Sequence, residues 1–248
     1  MKAILTSSLG GSMKADGMRI PIPLMRENGQ LDKIKAFWHE NSKILLVSAS
    51  PDDYGRNEGI LNCLKESFHM SGLNFSLFMM CDARTEKLIE RLSEMDVILL
   101  TGGHVPTQNT FLKRIRLKER LRKYEGLIIA WSAGSMNCAE IVYAGPESEG
   151  EAIDPNYQRW ISGLGLTKVN ILPHFERIKE DILDGFRLIE DITYADSIGH
   201  EILALNDGSY IVVDGVTETL YGEAYSIKDG CQKQICKNGE SIILESKP

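Results

Sequence analysis

A hydroxyl at the tip of a buried strand is an unusual placement. In GLIIAWSAGSM (126–136), Ser132 follows an apolar run and precedes the small residues Ala133 and Gly134. If the run is a strand and a helix follows it, the sharp turn between them lifts the serine clear of the backbone. Small neighbours let strand and helix approach. This is the logic of the nucleophile elbow G-x-S-x-G, with Ala130 in place of the first glycine. The free amides that open the helix favour negative charge at the same point. A plain helix N-cap is the competing role for such a serine. Two further stretches could serve the same chemistry. LLTGGH (99–104) sets two glycines behind another apolar run, where backbone amides can turn into a crevice. The amides of Gly103 and Ala133 would then form an oxyanion hole. ILPHF (171–175) carries His174 at the end of a third apolar run. A neutral imidazole within reach of Ser132 would take its proton during attack and return it to the leaving amine. The other histidines fit this role less well. His39 and His69 lie in polar or amphipathic helical contexts, and His200 precedes a strand, at its wrong end. His104 sits on the glycine turn, where it would touch substrate.

Positioning these residues requires a particular frame. The runs KAILTSS (2–8), KILLVSAS (43–50), NFSLFMMC (74–81), DVILLTGG (96–103) and GLIIAWS (126–132) are nearly continuous in apolar character. Strands covered on both faces read this way. Segments 55–71, 84–95, 107–123 and 134–141 read as helices. In TEKLIERLSEM, Leu88, Ile89 and Leu92 recur at helical spacing behind Thr85 as N-cap. The alternation predicts an α/β fold, a doubly wound and mostly parallel sheet with helices on both faces. Such sheets bind ligands beyond the carboxyl ends of their strands, where Ser132, Gly103 and His174 would all lie. After residue 195, Asn-Asp-Gly, Asp-Gly and Lys-Asp-Gly punctuate short β-type runs. These hairpin signals predict an antiparallel C-terminal extension on one edge of the same sheet. Residues 1–248 therefore read as a single domain. The longest stretch without periodicity, 145–163, is the expected functional loop.

Composition narrows the function classes. The 248 residues are 43% hydrophobic and 25% charged, an ordinary globular balance. A net charge of −7 argues against a nucleic-acid or anionic-membrane surface. No apolar run is long enough to span a bilayer, and the amino-terminal run reads as a first strand rather than a secretory signal. The five cysteines lack metal-ligand spacing. Cys231 and Cys236 could approach each other in a hairpin, but reduced thiols in a cytoplasm are the simpler reading.

A TGG turn, then WSAG, then LPHF, in this order and spacing, resembles the peptidase E family of serine peptidases, which includes aspartyl dipeptidases and is related to cyanophycinases. The likeness spans most of the chain. It implies a fold like the class I glutamine amidotransferases, with serine in place of the elbow cysteine. It also implies hydrolysis of short peptides with an amino-terminal aspartate, with no metal. The base of a triad needs a carboxylate to hold its tautomer and stabilise its charged form. In the aspartyl dipeptidases that acid lies in the loop after the nucleophile helix, which corresponds here to Glu147, a glutamate where the family has aspartate. Glu149 and Asp154 share the loop. Asp207, in LNDGSYI, matches another acidic position of the family and is the alternative. A substrate carboxylate calls for a cation, best an arginine. Arg177 and Arg187 are the candidates, on an expected helix after His174; the family position aligns near Phe186, one residue short of Arg187. The segment GGHVPTQNTFLK is longer than the turn of the dipeptidases, so that His104, Gln108 and Asn109 would line the pocket.

The expectation is a cytoplasmic serine peptidase for short peptides, without cofactor or metal, binding neither nucleic acid nor membrane, with a homodimer left open. An esterase or amidase using the same triad is one alternative. A non-catalytic homologue that binds a peptide or small molecule is another. Amidotransferase chemistry would want a cysteine at position 132, and Cys138 falls inside the following helix.

Overall fold

Five of the apolar runs form the parallel half of one large sheet. The structure is a computed structural model that describes residues 1–15 and 17–244. Its eight-stranded sheet runs, edge to edge, Ser241–Leu244, Thr217–Tyr221, Tyr210–Asp214, Lys2–Thr6, Leu127–Trp131, Val97–Leu100, Ser42–Val47 and Phe75–Cys81. From Lys2–Thr6 to Phe75–Cys81 every pairing is parallel. On the other side of Lys2–Thr6 every pairing is antiparallel. Successive side chains along a strand point to opposite faces, which explains the continuous apolar runs. Leu5, Leu45, Ile98, Ile128 and Ala130 join one core layer. Their chain neighbours Ile4, Ile44, Leu46, Leu99 and Ile129 join the other.

The helices follow the periodicity where it is sustained. Tyr54–Met70 buries Ile60, Cys63, Leu64, Ser67 and Phe68 at three- and four-residue spacing, and the Asp53 carboxylate caps it by accepting from the Arg56 amide at 3.1 Å. Elsewhere the expected helices are shorter. The segment expected over 84–95 is a pair of three-residue turns, Glu86–Glu94, broken at Arg91; only Ile89 and Leu92 are buried, at the three-residue spacing such turns favour. The segment expected over 107–123 splits at Arg116, whose φ is 54°, into Val105–Arg114 and Leu117–Leu121. After Ser132 the helix is only Ala133–Asn137, because the chain turns into the strand Ile141–Tyr143.

The antiparallel edge extension is present as Tyr210–Asp214, Thr217–Tyr221 and Ser241–Leu244. The other carboxyl-terminal strands leave the main sheet. Glu201–Leu205, Ala224–Lys228 and Cys231–Cys236 follow Asn170–Leu172, in that order, in a separate four-stranded sheet. Cys231 and Cys236 stand at opposite ends of one strand, not across a hairpin, and all five cysteines are free.

Two segments differ from the sequence reading in ways that bear on the site. Gly10–Ala15 and Met18–Leu24 form a hairpin that packs on the helix Tyr54–Met70. The segment after His174, expected as one helix, is the single turn Phe175–Ile178, then a small hairpin pairing Ile182–Leu183 with Phe186–Arg187. The wide helical turn Leu188–Thr193 follows. Asp184 and Gly185 take φ values of 53° and 85° at the tip of the hairpin. Asp-Gly is a strong turn signal, and here it overrides the helical spacing around it.

Candidate active site

The elbow is built by three strands. Leu127–Trp131 ends beside Lys2–Thr6, and the Ser132 amide donates to the carbonyls of Thr6 (3.1 Å) and Ser7 (3.2 Å). Ser132 itself sits at φ 51°, ψ −123°, a backbone conformation that side-chain-bearing residues rarely adopt. Its carbonyl accepts from the Met136 amide at 3.0 Å, which starts the helix Ala133–Asn137 immediately. The turn is tight enough that a Cβ on Gly134 would run into the Leu100 carbonyl. Gly134→Ala should therefore be destabilised by about 1–3 kcal/mol, the usual cost of overpacking. Urea unfolding of the variant beside the wild type measures this.

His174 comes from a different sheet. It follows the strand Asn170–Leu172 through Pro173 and takes φ 58°. Its amide donates to Ser7 Oγ at 2.8 Å, and its Nδ1 lies 2.6 Å from Asp207 Oδ1. Ser7 Oγ in turn donates to the same Asp207 oxygen at 2.8 Å. Asp207 occupies the turn where the chain crosses from Glu201–Leu205, in the second sheet, to Tyr210–Asp214, in the first. Burial pushes the Asp207 carboxyl upward in pKa. The hydrogen bonds and charge of His174, the Ser7 hydroxyl and the Arg177 guanidinium 3.7 Å away outweigh it and hold the group below its ordinary value. A carboxylate kept ionised on Nδ1 fixes the imidazole with Nε2 free to act as a base. Ser132 and His174 together border two cavities, of about 270 and 390 Å3. Among the described residues no hydrogen bond joins the two side chains, and such contacts commonly close only when substrate is bound.

The acid on His174 is thus Asp207 and not Glu147. Glu147 lines the smaller cavity with Ser132 and His174, but among the described residues no hydrogen bond joins it to His174. Although the residue as a whole is exposed, the loop desolvates its carboxyl and Glu151 adds like charge, so its pKa is pushed up to about 7. The native state then holds a proton on Glu147 that the unfolded chain, at the ordinary 4.5, has already lost. Ionisation of this group costs stability as pH rises from about 4.5 through 7. Glu147→Gln should flatten that part of the profile, losing less thermal stability than the wild type between pH 5 and pH 8. Equal losses in the two proteins would count against a proton held there.

The remaining expected residues separate into those at the cavities and those that support them. Gly102, not Gly103, lies against the nucleophile: a Cβ there would be 3.1 Å from the Ser132 Cβ. Gly103 backs onto Ala49, where a Cβ would stand 2.7 Å away. Among the described residues the amides of Gly103 and Ala133 have no protein acceptor. Gln108 and Asn109 are buried and do not reach the cavities. Gln108 Nε2 donates to the Thr101 carbonyl at 2.8 Å, and Asn137 Nδ2 donates to Gln108 Oε1 at 3.1 Å, which ties the glycine turn to the nucleophile helix. His104 is drawn to the acidic loop, with Nε2 2.8 Å from Glu151 and Nδ1 2.7 Å from Thr107. Glu149 and Asp154 line neither cavity. Arg187 pairs with Asp191 at 2.6 Å on the surface, whereas Arg177 borders the larger cavity. Ser7, Lys14, Arg19 and Arg56 were not expected at the site. The serines after the first strand, and the Asp-Gly pair in the sequence between Lys14 and Arg19, were the available signals.

A serine raised at a strand–helix corner over a mostly parallel sheet, beside a histidine held by a carboxylate, is the frame of a serine hydrolase. The sequence profile of peptidase family S51 matches residues 26–221. The chain belongs to that family and is a peptide hydrolase of the serine type. No curated protein matches it in sequence. Among solved structures it is similar to a candidate peptidase E protein from Listeria monocytogenes EGD-e, at a TM-score of 0.58 and 16% identity, over 94% of this chain and 98% of that one. That likeness is one of fold. Among the described residues no helix is long and apolar enough to cross a membrane.

Proposed function

We propose that the protein hydrolyses short peptides with Ser132 as nucleophile, His174 as general base and acid, and Asp207 as the carboxylate that orients and charges the base. The observation that carries this reading is the 2.6 Å contact between His174 Nδ1 and Asp207, beside a strained serine that borders the same cavities. Ser132 Oγ attacks the carbonyl while His174 takes its proton. The amides of Ala133 and of the Gly102–Gly103 turn receive the developing oxyanion. His174 then protonates the leaving amine, and water, deprotonated by the same imidazole, frees the acyl group. Two cavities of a few hundred Å3 each suit a substrate of a few residues. Of the two arginines expected to read an aspartate, Arg177 borders the larger cavity, whereas Arg187 pairs with Asp191, which favours Arg177 for that role.

A fluorophosphonate probe with mass-spectrometric mapping tests the assignment. Labelling at Ser132 that disappears in His174→Ala, together with dipeptide hydrolysis faster than hydrolysis of simple esters of matched acyl groups, is the expected result. An unlabelled Ser132 in folded protein would overturn it.

A further inference from the structure

The two cavities that meet at Ser132 and His174 are opposite in character. The larger is bordered by Lys14, Arg19, Arg56 and Arg177, and among the described residues no acidic one lines it. This convergence runs against a net charge of −7. Three of the four cations are also placed where local electrostatics disfavours them. Lys14 and Arg19 stand directly opposite each other in the hairpin, and like charges in that relation destabilise a strand pair. Arg56 is the third residue of the helix Tyr54–Met70, at the positive end of its dipole. Among the described residues none of these three forms an ion pair. Arg19 donates to Ser12 Oγ at 2.6 Å, and Asp53 beside Arg56 uses its carboxylate on the helix cap. Local rules broken together at one place mark a functional site, and an anion entering the cavity would offset both penalties at once. Lys14 and Arg19 precede residue 26, outside the stretch that the family profile matches.

The smaller cavity has apolar walls, including Met136, Leu172 and Leu183, and among the described residues its acidic lining is Glu147 and Asp181. A peptide is itself polar end to end, with an ammonium at one terminus and a carboxylate at the other.

We propose that the cleft reads a peptide by this polarity. The cationic cavity seats a carboxyl-terminal residue through its α-carboxylate and an acidic side chain, and the apolar cavity seats an apolar amino-terminal residue whose ammonium faces Glu147 and Asp181. This rests on Ser132 being the nucleophile. In the reaction, Ser132 Oγ bonds to the carbonyl carbon of the amino-terminal residue and the C–N bond breaks. The acidic residue leaves as the free amine with the proton from His174, and water releases the acyl group. An amino-terminal aspartate, whose ammonium cancels its one side-chain charge, would leave this cluster largely unneutralised.

The test compares kcat/KM for leucyl-glutamate, leucyl-glutamine, glutamyl-leucine and aspartyl-leucine in the wild type, Arg56→Gln and Lys14→Gln, with thermal melting as the check on folding. Leucyl-glutamate should be the best of the four. The ratio of leucyl-glutamate to leucyl-glutamine should fall about tenfold per cation removed, as for the loss of one charge-assisted contact. Faster cleavage of aspartyl-leucine or glutamyl-leucine, or an unchanged ratio in both folded variants, would overturn the proposal. Calorimetry with the inactive Ser132→Ala separates the subsite from the chemistry. Binding of leucyl-glutamate that weakens in Ser132→Ala/Arg56→Gln supports the subsite even if the wild type cleaves nothing, a result that would sink the hydrolase assignment instead. Tighter binding of inorganic phosphate than of leucyl-glutamate would overturn the dicarboxylate assignment.

Discussion

Ser132→Ala is expected to lower kcat/KM for a cleaved dipeptide by roughly 10^4- to 10^6-fold, because only the oxyanion hole and substrate binding then remain to assist attack by water. The variant should fold as well as the wild type. The Ser132 conformation at φ 51° is held by its own amide on Thr6 and Ser7, by the Met136 amide and by the fit of Gly134 under Leu100. None of these involves the hydroxyl, which among the described residues makes no hydrogen bond. The measurement is initial rate against substrate concentration, with unfolding in urea as the control. A folded alanine variant that keeps a rate within a few-fold of the wild type would remove Ser132 from the chemistry and with it the proposed mechanism.

Asp207→Asn has the second-largest expected effect, a fall of roughly 10^4-fold in kcat, the size seen when the orienting carboxylate of a triad becomes an amide. An asparagine offers Nδ1 either a carbonyl or an NH2 group. In neither case does it supply the negative charge that stabilises the imidazolium formed as Ser132 loses its proton. The same substitution disturbs Ser7, which donates to Asp207 and accepts from the His174 amide. Ser7→Ala is therefore the informative companion. It leaves the His174–Asp207 pair in place and should lower kcat much less. The contrast that decides between the two acids is Glu147→Gln. On the Asp207 reading, Glu147→Gln alters KM and the pH dependence of stability while leaving most of kcat. If Glu147→Gln abolished turnover and Asp207→Asn did not, the roles would have to be exchanged.

The residue types and their order carried most of the fold and half of the site. Strands covered on both faces must be apolar at every position, so the runs at 2–8, 43–50, 96–103 and 126–132 could be recognised without any partner in view. The elbow is likewise a local object. Ala130, Ser132, Ala133 and Gly134 lie within five consecutive positions, and the need for small side chains there arises from a strand and helix that adjoin in the chain. His174 was legible because it ends a strand, the place where such sheets present their ligand-binding groups.

What sequence could not settle is everything that depends on two remote segments arriving at one point. Asp207 and Glu147 are both acids near turns, and spacing from Ser132 favoured Glu147, whereas His174 Nδ1 meets Asp207. Asp207 meets His174 only because the chain crosses between two sheets at residues 206–209, a crossing that no local pattern records. Arg187 looked like part of a helix until an Asp-Gly turn folded it back onto Asp191. Gln108 looked like a substrate contact, but a buried amide must find partners, and it found Thr101 and Asn137. The cationic cavity is the clearest case. Lys14, Arg19, Arg56 and Arg177 are unremarkable as separate surface residues in an acidic protein, and they acquire a meaning only when a hairpin and two helices bring their charges to one side of the nucleophile. Local backbone preference and apolar periodicity act between near neighbours in the chain, whereas electrostatic work is done across space, which is why the scaffold was readable and the charge arrangement was not.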